Sequence, residues 1–138
     1  MNSGELTSEE LQRYSRHLVL QDFGIESQLK LKNAKVLVVG AGGLGCPALL
    51  YLAAAGVGTL GVIDSDTLEL SNLQRQVLYT VDDLGKNKAK AACDRLAGLN
   101  PQIALKHYEK RLLSSNALEI IEDYDVIVDG TDNFPTRY

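Results

Sequence analysis

Val36-Leu37-Val38-Val39-Gly40-Ala41-Gly42-Gly43-Leu44-Gly45 decides the fold of this chain. Four consecutive aliphatic residues predict a buried strand, and the glycine-rich stretch behind them predicts a sharp turn into a helix. In that setting Gly40, Gly42, Gly43 and Gly45 let the chain reverse, let phosphate oxygens approach backbone N–H groups, and let the helix pack closely on the sheet. The helix is expected from about Gly43 to Ala55. Pro47 lies near its start, where a missing N–H forfeits little, and Gly56 suits its C-terminal cap. Thr59 to Ile63 then reads as a second strand closed by Asp64. Strand, glycine turn, helix, strand and acid, in that order, predict a nucleotide site in which Asp64 accepts hydrogen bonds from ribose hydroxyls.

Upstream, Thr7-Ser8-Glu9-Glu10 has capping-box spacing and predicts a helix with Leu11, Tyr14 and Leu18 on one face. Gly24 breaks the chain before a short helix around Glu26 to Leu31, so residues 1–34 form a helical arm within one unit spanning 1–138. Downstream, Asp82 or Asp83 is expected to cap a helix whose apolar side is Ala89, Ala92, Cys93, Leu96 and Leu99, ended by Asn100-Pro101. Ile103 to Tyr108 reads as a third strand, Asn116 to Glu122 as a short helix and Asp125 to Asp129 as a fourth strand. This alternation predicts an α/β, Rossmann-like, doubly wound and mainly parallel sheet, with ligands at the C-terminal strand ends. Asn133 to Tyr138 looks like the first turn of a helix whose body is absent. Four strands alone leave one side of the sheet poorly covered, so the chain reads as a truncated domain.

With 138 residues, 45% of them apolar, the chain is expected to build one core. No apolar stretch approaches the roughly 20 residues that span a bilayer, so no membrane segment is expected. The N-terminus has neither a basic start nor an apolar signal core, which points to the cytoplasm. A net charge of −4 weighs against a nucleic-acid partner, whose binding surfaces cluster Lys and Arg. Cys46 and Cys93 stand far apart without a Cys-x-x-Cys pair, so neither a disulfide framework nor a complete zinc site is written here, and both read as small buried residues. His17 and His107 show no pattern for metal or nucleophile chemistry.

The polar stretch after Asp64 exceeds what a plain dinucleotide fold needs. Asp66 suits either a ligand contact or a structural cap of the following loop. Asn72, Arg75 and Gln76 follow closely, and Arg75 offers a planar fork of donors suited to phosphate oxygens. Lys88 is expected a few residues into the helix before the third strand, where a cation opposes the helix dipole and so points to an anion nearby. Asp129 and Asp132, at the end of the fourth strand, are both placed to hold Mg²⁺ through a carboxylate plus phosphate oxygens, and the residues do not choose between them.

These motifs together (Gly40-Ala-Gly-Gly-Leu-Gly-Cys-Pro, Asp64-Ser-Asp66, Ser71-Asn72-Leu-Gln-Arg75-Gln76, Gly85-Lys-Asn-Lys88, Leu99-Asn-Pro101 and Thr131-Asp132-Asn133) resemble the ThiF, MoeB and HesA group, relatives of ubiquitin-activating enzymes. The likeness runs from about Ser8 to the last residue. It implies a fold that adenylates the C-terminal glycine of a small ubiquitin-like sulfur-carrier protein with ATP and Mg²⁺, releasing pyrophosphate. Carried over by position, it implies Asp64 on the ribose, Asn72, Arg75 and Lys88 on the phosphates, and Asp132 rather than Asp129 on the magnesium. It also implies a homodimer in which Arg16 reaches the partner's triphosphate. The C-terminal half of such relatives, often carrying two Cys-x-x-Cys zinc pairs, is missing here. Two other readings compete: a nicotinamide-dependent oxidoreductase, which leaves Arg75, Lys88 and Asp132 without a task, and a non-catalytic nucleotide-binding fragment.

Overall fold

Lys35–Val39 forms β1, which pairs in parallel on one side with β2 (Thr59–Ile63) and on the other with β4 (Val126–Asp129). β3 (Ala104–Tyr108) adds in parallel to the far side of β2, giving a four-stranded sheet in the order β3-β2-β1-β4. The computed structural model describes residues 5–14, 24–74, 76 and 78–131. Strand alternation explains the two layers. Val36, Val38, Leu60 and Val62 pack on one face with Leu49 and Ala53 of α3 (Gly45–Ala55) and with Ala89, Ala92 and Leu96 of α4 (Lys88–Leu99). Leu37 and Ile63 turn to the other face, where they meet Ile120 of α5 (Ala117–Ile121). Each fully buried Leu or Ile side chain here contributes about 1.5–3 kcal/mol. Coverage is thin on the outer strand β4, where Val126 on the first face and Ile127 on the second are 50% and 39% exposed.

The expected elements form, with three corrections. The first helix, α1 (Ser8–Arg13), has the anticipated capping box, with Thr7 Oγ1 accepting from Glu10 N–H and Glu10 Oε1 accepting from Thr7 N–H. It is shorter than the periodicity suggests, because Tyr14 leaves the helix and buries its ring. Asn100 Nδ2 donates to the Tyr14 hydroxyl at 2.8 Å and to Ala53 C=O at 2.8 Å, tying the arm to the C-terminal ends of α3 and α4. Leu11, expected on the buried face, is 40% exposed; Leu18 and His17 lie outside the described residues. The second arm helix, α2 (Gly24–Asn33), docks through Gln28 Nε2, which donates to Ala55 C=O at 2.7 Å.

The cap of α4 is Asn87, not Asp82 or Asp83. Asn87 Oδ1 accepts from Ala89 and Lys90 N–H, while its Nδ2 donates to Asp64 C=O. Asp82 and Asp83 instead belong to a separate 3-10 turn, Val81–Asp83. There the fully buried Asp83 carboxylate is held by Arg95 Nε at 2.9 Å and Thr80 N–H at 2.9 Å. Lys88 is therefore the first residue of its helix rather than a few residues into it.

Candidate functional site

The turn after β1 is built by two glycines. Gly40 has φ +93°, a conformation that L side chains rarely adopt, and it lets the chain swing away while its N–H still donates to Ile63 C=O at 2.9 Å. Gly45 packs so closely on the Gly40 carbonyl that any β-carbon would collide with it. Asp64 braces the turn: one carboxylate oxygen accepts from Ala41 N–H and the other from Asp66 N–H, both at 2.8 Å. The remaining lone pairs of Asp64 stay available to hydroxyl donors. No side chain caps α3, and the N–H groups of Gly42, Gly43 and Leu44 have no hydrogen-bond partner among the described residues. Consecutive free donors at the positive end of an eleven-residue helix favour an anion.

Lys88 returns to this turn through a short paired strip. Leu68 N–H donates to Lys86 C=O at 2.9 Å, Gly85 N–H to Leu68 C=O at 3.0 Å and Lys88 N–H to Asp66 C=O at 2.9 Å. The Asp66 backbone thus has a structural task, as the acceptor for the Lys88 N–H. Lys88 is only 7% exposed, and its ammonium forms no ion pair or hydrogen bond among the described residues. A cation so enclosed is costly without a counter-charge. By contrast the exposed Lys86 and Lys90 pair with Asp83 and Asp94.

An open cavity of about 640 Å³ lies over the C-terminal ends of the strands and brings together Gly40, Gly42, Asp64, Asp66, Gln76 and Lys88. Gly43, Gly45 and Asn72 do not line it. Asn72 turns its Oδ1 to Glu69 N–H at 2.9 Å, within the 3-10 turn Leu70–Gln74. Arg16, Arg75 and Asp132 lie outside the described residues. Asp129 Oδ1 accepts both the Thr131 N–H and the Thr131 hydroxyl, which ties that one oxygen to the turn. Among the described residues no group of three or more His, Cys, Asp or Glu is placed to hold a metal ion.

Three further contributors escaped the sequence reading. Lys110 and Arg111 line the cavity just past β3, and a basic pair at a strand's C-terminal end was the available hint. Tyr79 lies behind the glycine turn, 5% exposed, and its hydroxyl sits 2.7 Å from Ala41 C=O and 3.2 Å from Lys88 C=O. Gln76, which was expected, is 4% exposed, and its Oε1 has no partner in the interior. Cys46 and Cys93 are buried free thiols, as expected. Burial pushes the Cys46 thiol up, and it pushes Cys93 up to about 12, so neither is a ready nucleophile.

Gly42 and the enclosed Lys88 bring positive charge to the cavity, and Asp64 adds an acceptor for hydroxyls. The chain is similar in sequence and fold to several known proteins. Probable adenylyltransferase/sulfurtransferase MoeZ of Mycobacterium tuberculosis is 56% identical over 133 residues, covering 96% of this chain and 34% of that protein. The sulfur carrier protein adenylyltransferase of Thermus thermophilus is 57% identical over 132 residues, covering 96% of this chain and 49% of its own length. The solved structure of E. coli tRNA N6-threonylcarbamoyladenosine dehydratase, TcdA, in complex with ATP superposes with a TM-score of 0.85 at 25% identity, covering 92% of this chain and 52% of that one. The chain thus spans from a third to a half of the length of these proteins. Among the described residues no helix is long and apolar enough to cross a membrane. The ThiF family model matches residues 14–138, and on that match the chain belongs to the ThiF family.

Proposed function

We propose that this chain carries the nucleotide-binding part of an adenylyltransferase that uses ATP to activate the C-terminal glycine of a ubiquitin-like sulfur-carrier protein. The carrier carboxylate attacks the α-phosphorus, the bond to the leaving oxygen breaks, and an acyl-adenylate and pyrophosphate result. The observation that carries this reading is the enclosed Lys88, whose ammonium has no partner among the described residues and which lines the same cavity as Gly42. Such a reaction asks the protein mainly for positioned positive charge as the phosphorus is displaced.

In this reading Gly40, Gly42, Gly43 and Gly45 shape the cradle, and Asp64 takes the ribose. Asn72, Arg75, Gln76 and Lys88 serve the phosphates, with Asp66 supporting the loop. Asp132 would hold Mg²⁺, which supplies charge neutralisation on the phosphate oxygens when bound. Arg16 would complete the site from the second copy of a homodimer. That arrangement gains support from α3, which contains no charged residue, and from its N-cap Leu44 and its Tyr51, 48% and 76% exposed. A cytoplasmic setting and a role in thiamine, molybdopterin or a related thiolation pathway fit the same reading. The limited span of the chain favours a second reading, in which these residues bind ATP and turnover needs more polypeptide.

Carrier-dependent exchange of radiolabelled pyrophosphate into ATP, run with a panel of ubiquitin-like carriers, tests the first reading. ATP binding without exchange selects the second, and tight NADH binding without ATP binding returns the nicotinamide alternative.

A further inference from the structure

Two cavity-lining residues, Gln76 and Lys88, and Ala41 next to the lining Gly42 all meet at one residue outside the cavity. Tyr79 N–H donates to Gln76 C=O at 3.2 Å, and the Tyr79 hydroxyl lies 2.7 Å from Ala41 C=O and 3.2 Å from Lys88 C=O. The hydroxyl has one proton. The shorter contact carries it to Ala41, whose oxygen also accepts from the weakly donating Cys46 thiol at 3.3 Å. A trans peptide is planar, so its C=O and the following N–H point in opposite directions. Drawing the Ala41 carbonyl into the core therefore aims the Gly42 N–H outward, on the cavity side where Gly42 lies. The Ala41 N–H is held separately by Asp64, so the two sides of this residue are fixed by different partners.

We propose that Tyr79 is a positioning residue for the triphosphate: its hydroxyl fixes the Ala41–Gly42 peptide so that the Gly42 N–H meets a phosphate oxygen, beside the first residue of α4, Lys88. This rests on the nucleotide reading above and deepens it. Tyr79 touches no ligand itself. Its effect falls on the phosphate end of the cavity and leaves the nucleoside end unchanged.

The test is to measure ATP and adenosine affinity by calorimetry for the unmodified chain, Tyr79→Phe and Cys46→Ala. Tyr79→Phe keeps the ring and deletes only the hydroxyl. One neutral hydrogen bond corresponds to a change of roughly threefold to tenfold. The expected result is an ATP affinity lowered by that factor in Tyr79→Phe with adenosine unchanged, and less than a twofold effect in Cys46→Ala. A general loss of structure would weaken ATP and adenosine together. A ratio of the two affinities within twofold of the unmodified chain overturns the proposal.

A second readout needs no variant. The Gly42 amide resonance of the unmodified chain moves downfield with ATP and not with adenosine, and an unmoved Gly42 overturns the proposal as well. If the unmodified chain binds no ATP, the nucleotide reading itself fails and takes this inference with it. Binding with an unchanged ratio removes the Tyr79 role alone.

Discussion

Replacing Lys88 by methionine keeps an unbranched stem in the same enclosed slot and deletes the ammonium. Two effects of opposite sign follow. Without nucleotide the charge has no partner among the described residues, so its removal relieves an uncompensated buried cation and the melting temperature holds or rises. With nucleotide a charge-assisted hydrogen bond is lost, worth about 1.5–3 kcal/mol, and ATP binds about 10- to 150-fold more weakly. Thermal denaturation with and without ATP reads both. At a concentration 100 times the dissociation constant, ATP stabilises the unmodified chain by about 2.7 kcal/mol. An approximately thirtyfold weaker variant at the same concentration gains only about 0.9 kcal/mol. For a domain of this size 1 kcal/mol corresponds to about 3–4 °C, so the ATP-induced shift falls from about 9 °C to about 3 °C. A variant that keeps the full shift, or that loses more than about 6 °C without ligand, refutes the reasoning, because Lys88 would then be serving the protein and not an anion.

The same geometry makes other outcomes measurable. Asp64→Asn can satisfy only one of the two N–H donors now held by the carboxylate, so unfolding titrations should show a loss of about 2 kcal/mol and ATP binding should weaken with it. Gly45→Ala drives a methyl group into the Gly40 carbonyl and should cost about 3 kcal/mol, seen as poor yield of folded protein and absent ATP binding. Burial pushes the Asp83 carboxyl up, but the Arg95 guanidinium, the Thr80 N–H and Lys86 overcome this and hold it below its ordinary 3.8. A lowered folded-state value means that the stabilisation is present above about pH 4 and is lost as the pH falls through that value. Asp83→Asn should therefore be less stable than the unmodified chain at neutral pH and show a flatter acid limb, and an unchanged limb would assign the acid sensitivity elsewhere.

The strands and the glycine turn were legible because they are written locally: aliphatic runs, glycines where the backbone must turn or touch, and an acid at the next strand's end. Helix ends were harder for a physical reason. Asp82, Asp83 and Asn87 are all capping residues, and the choice among them is made by distant partners, Arg95 drawing in Asp83 and the Asp64 carbonyl drawing in Asn87. Tyr14 likewise reads as one more apolar position on a helix until Asn100 supplies a hydrogen bond from across the fold. Within the site, Asp64, Gln76 and Lys88 were found from pattern and resemblance, whereas Asn72 turns inward to its own loop. Tyr79 was invisible because its contribution lies in one hydroxyl among residues that otherwise read as core. The basic pair at Lys110 and Arg111 gains meaning only once β3 is seen to end beside β2.

Gly130 sits against the Cα of Gly45 and the carbonyl of Gly40 with no room for even a methyl group between them, and its N–H is bonded to Val39 C=O at 2.7 Å. The segment leaving β4 and the first turn of α3 are therefore geared together like meshed teeth. A displacement of either segment is thus passed to the other, and both border the cavity, through Gly40 and Gly130.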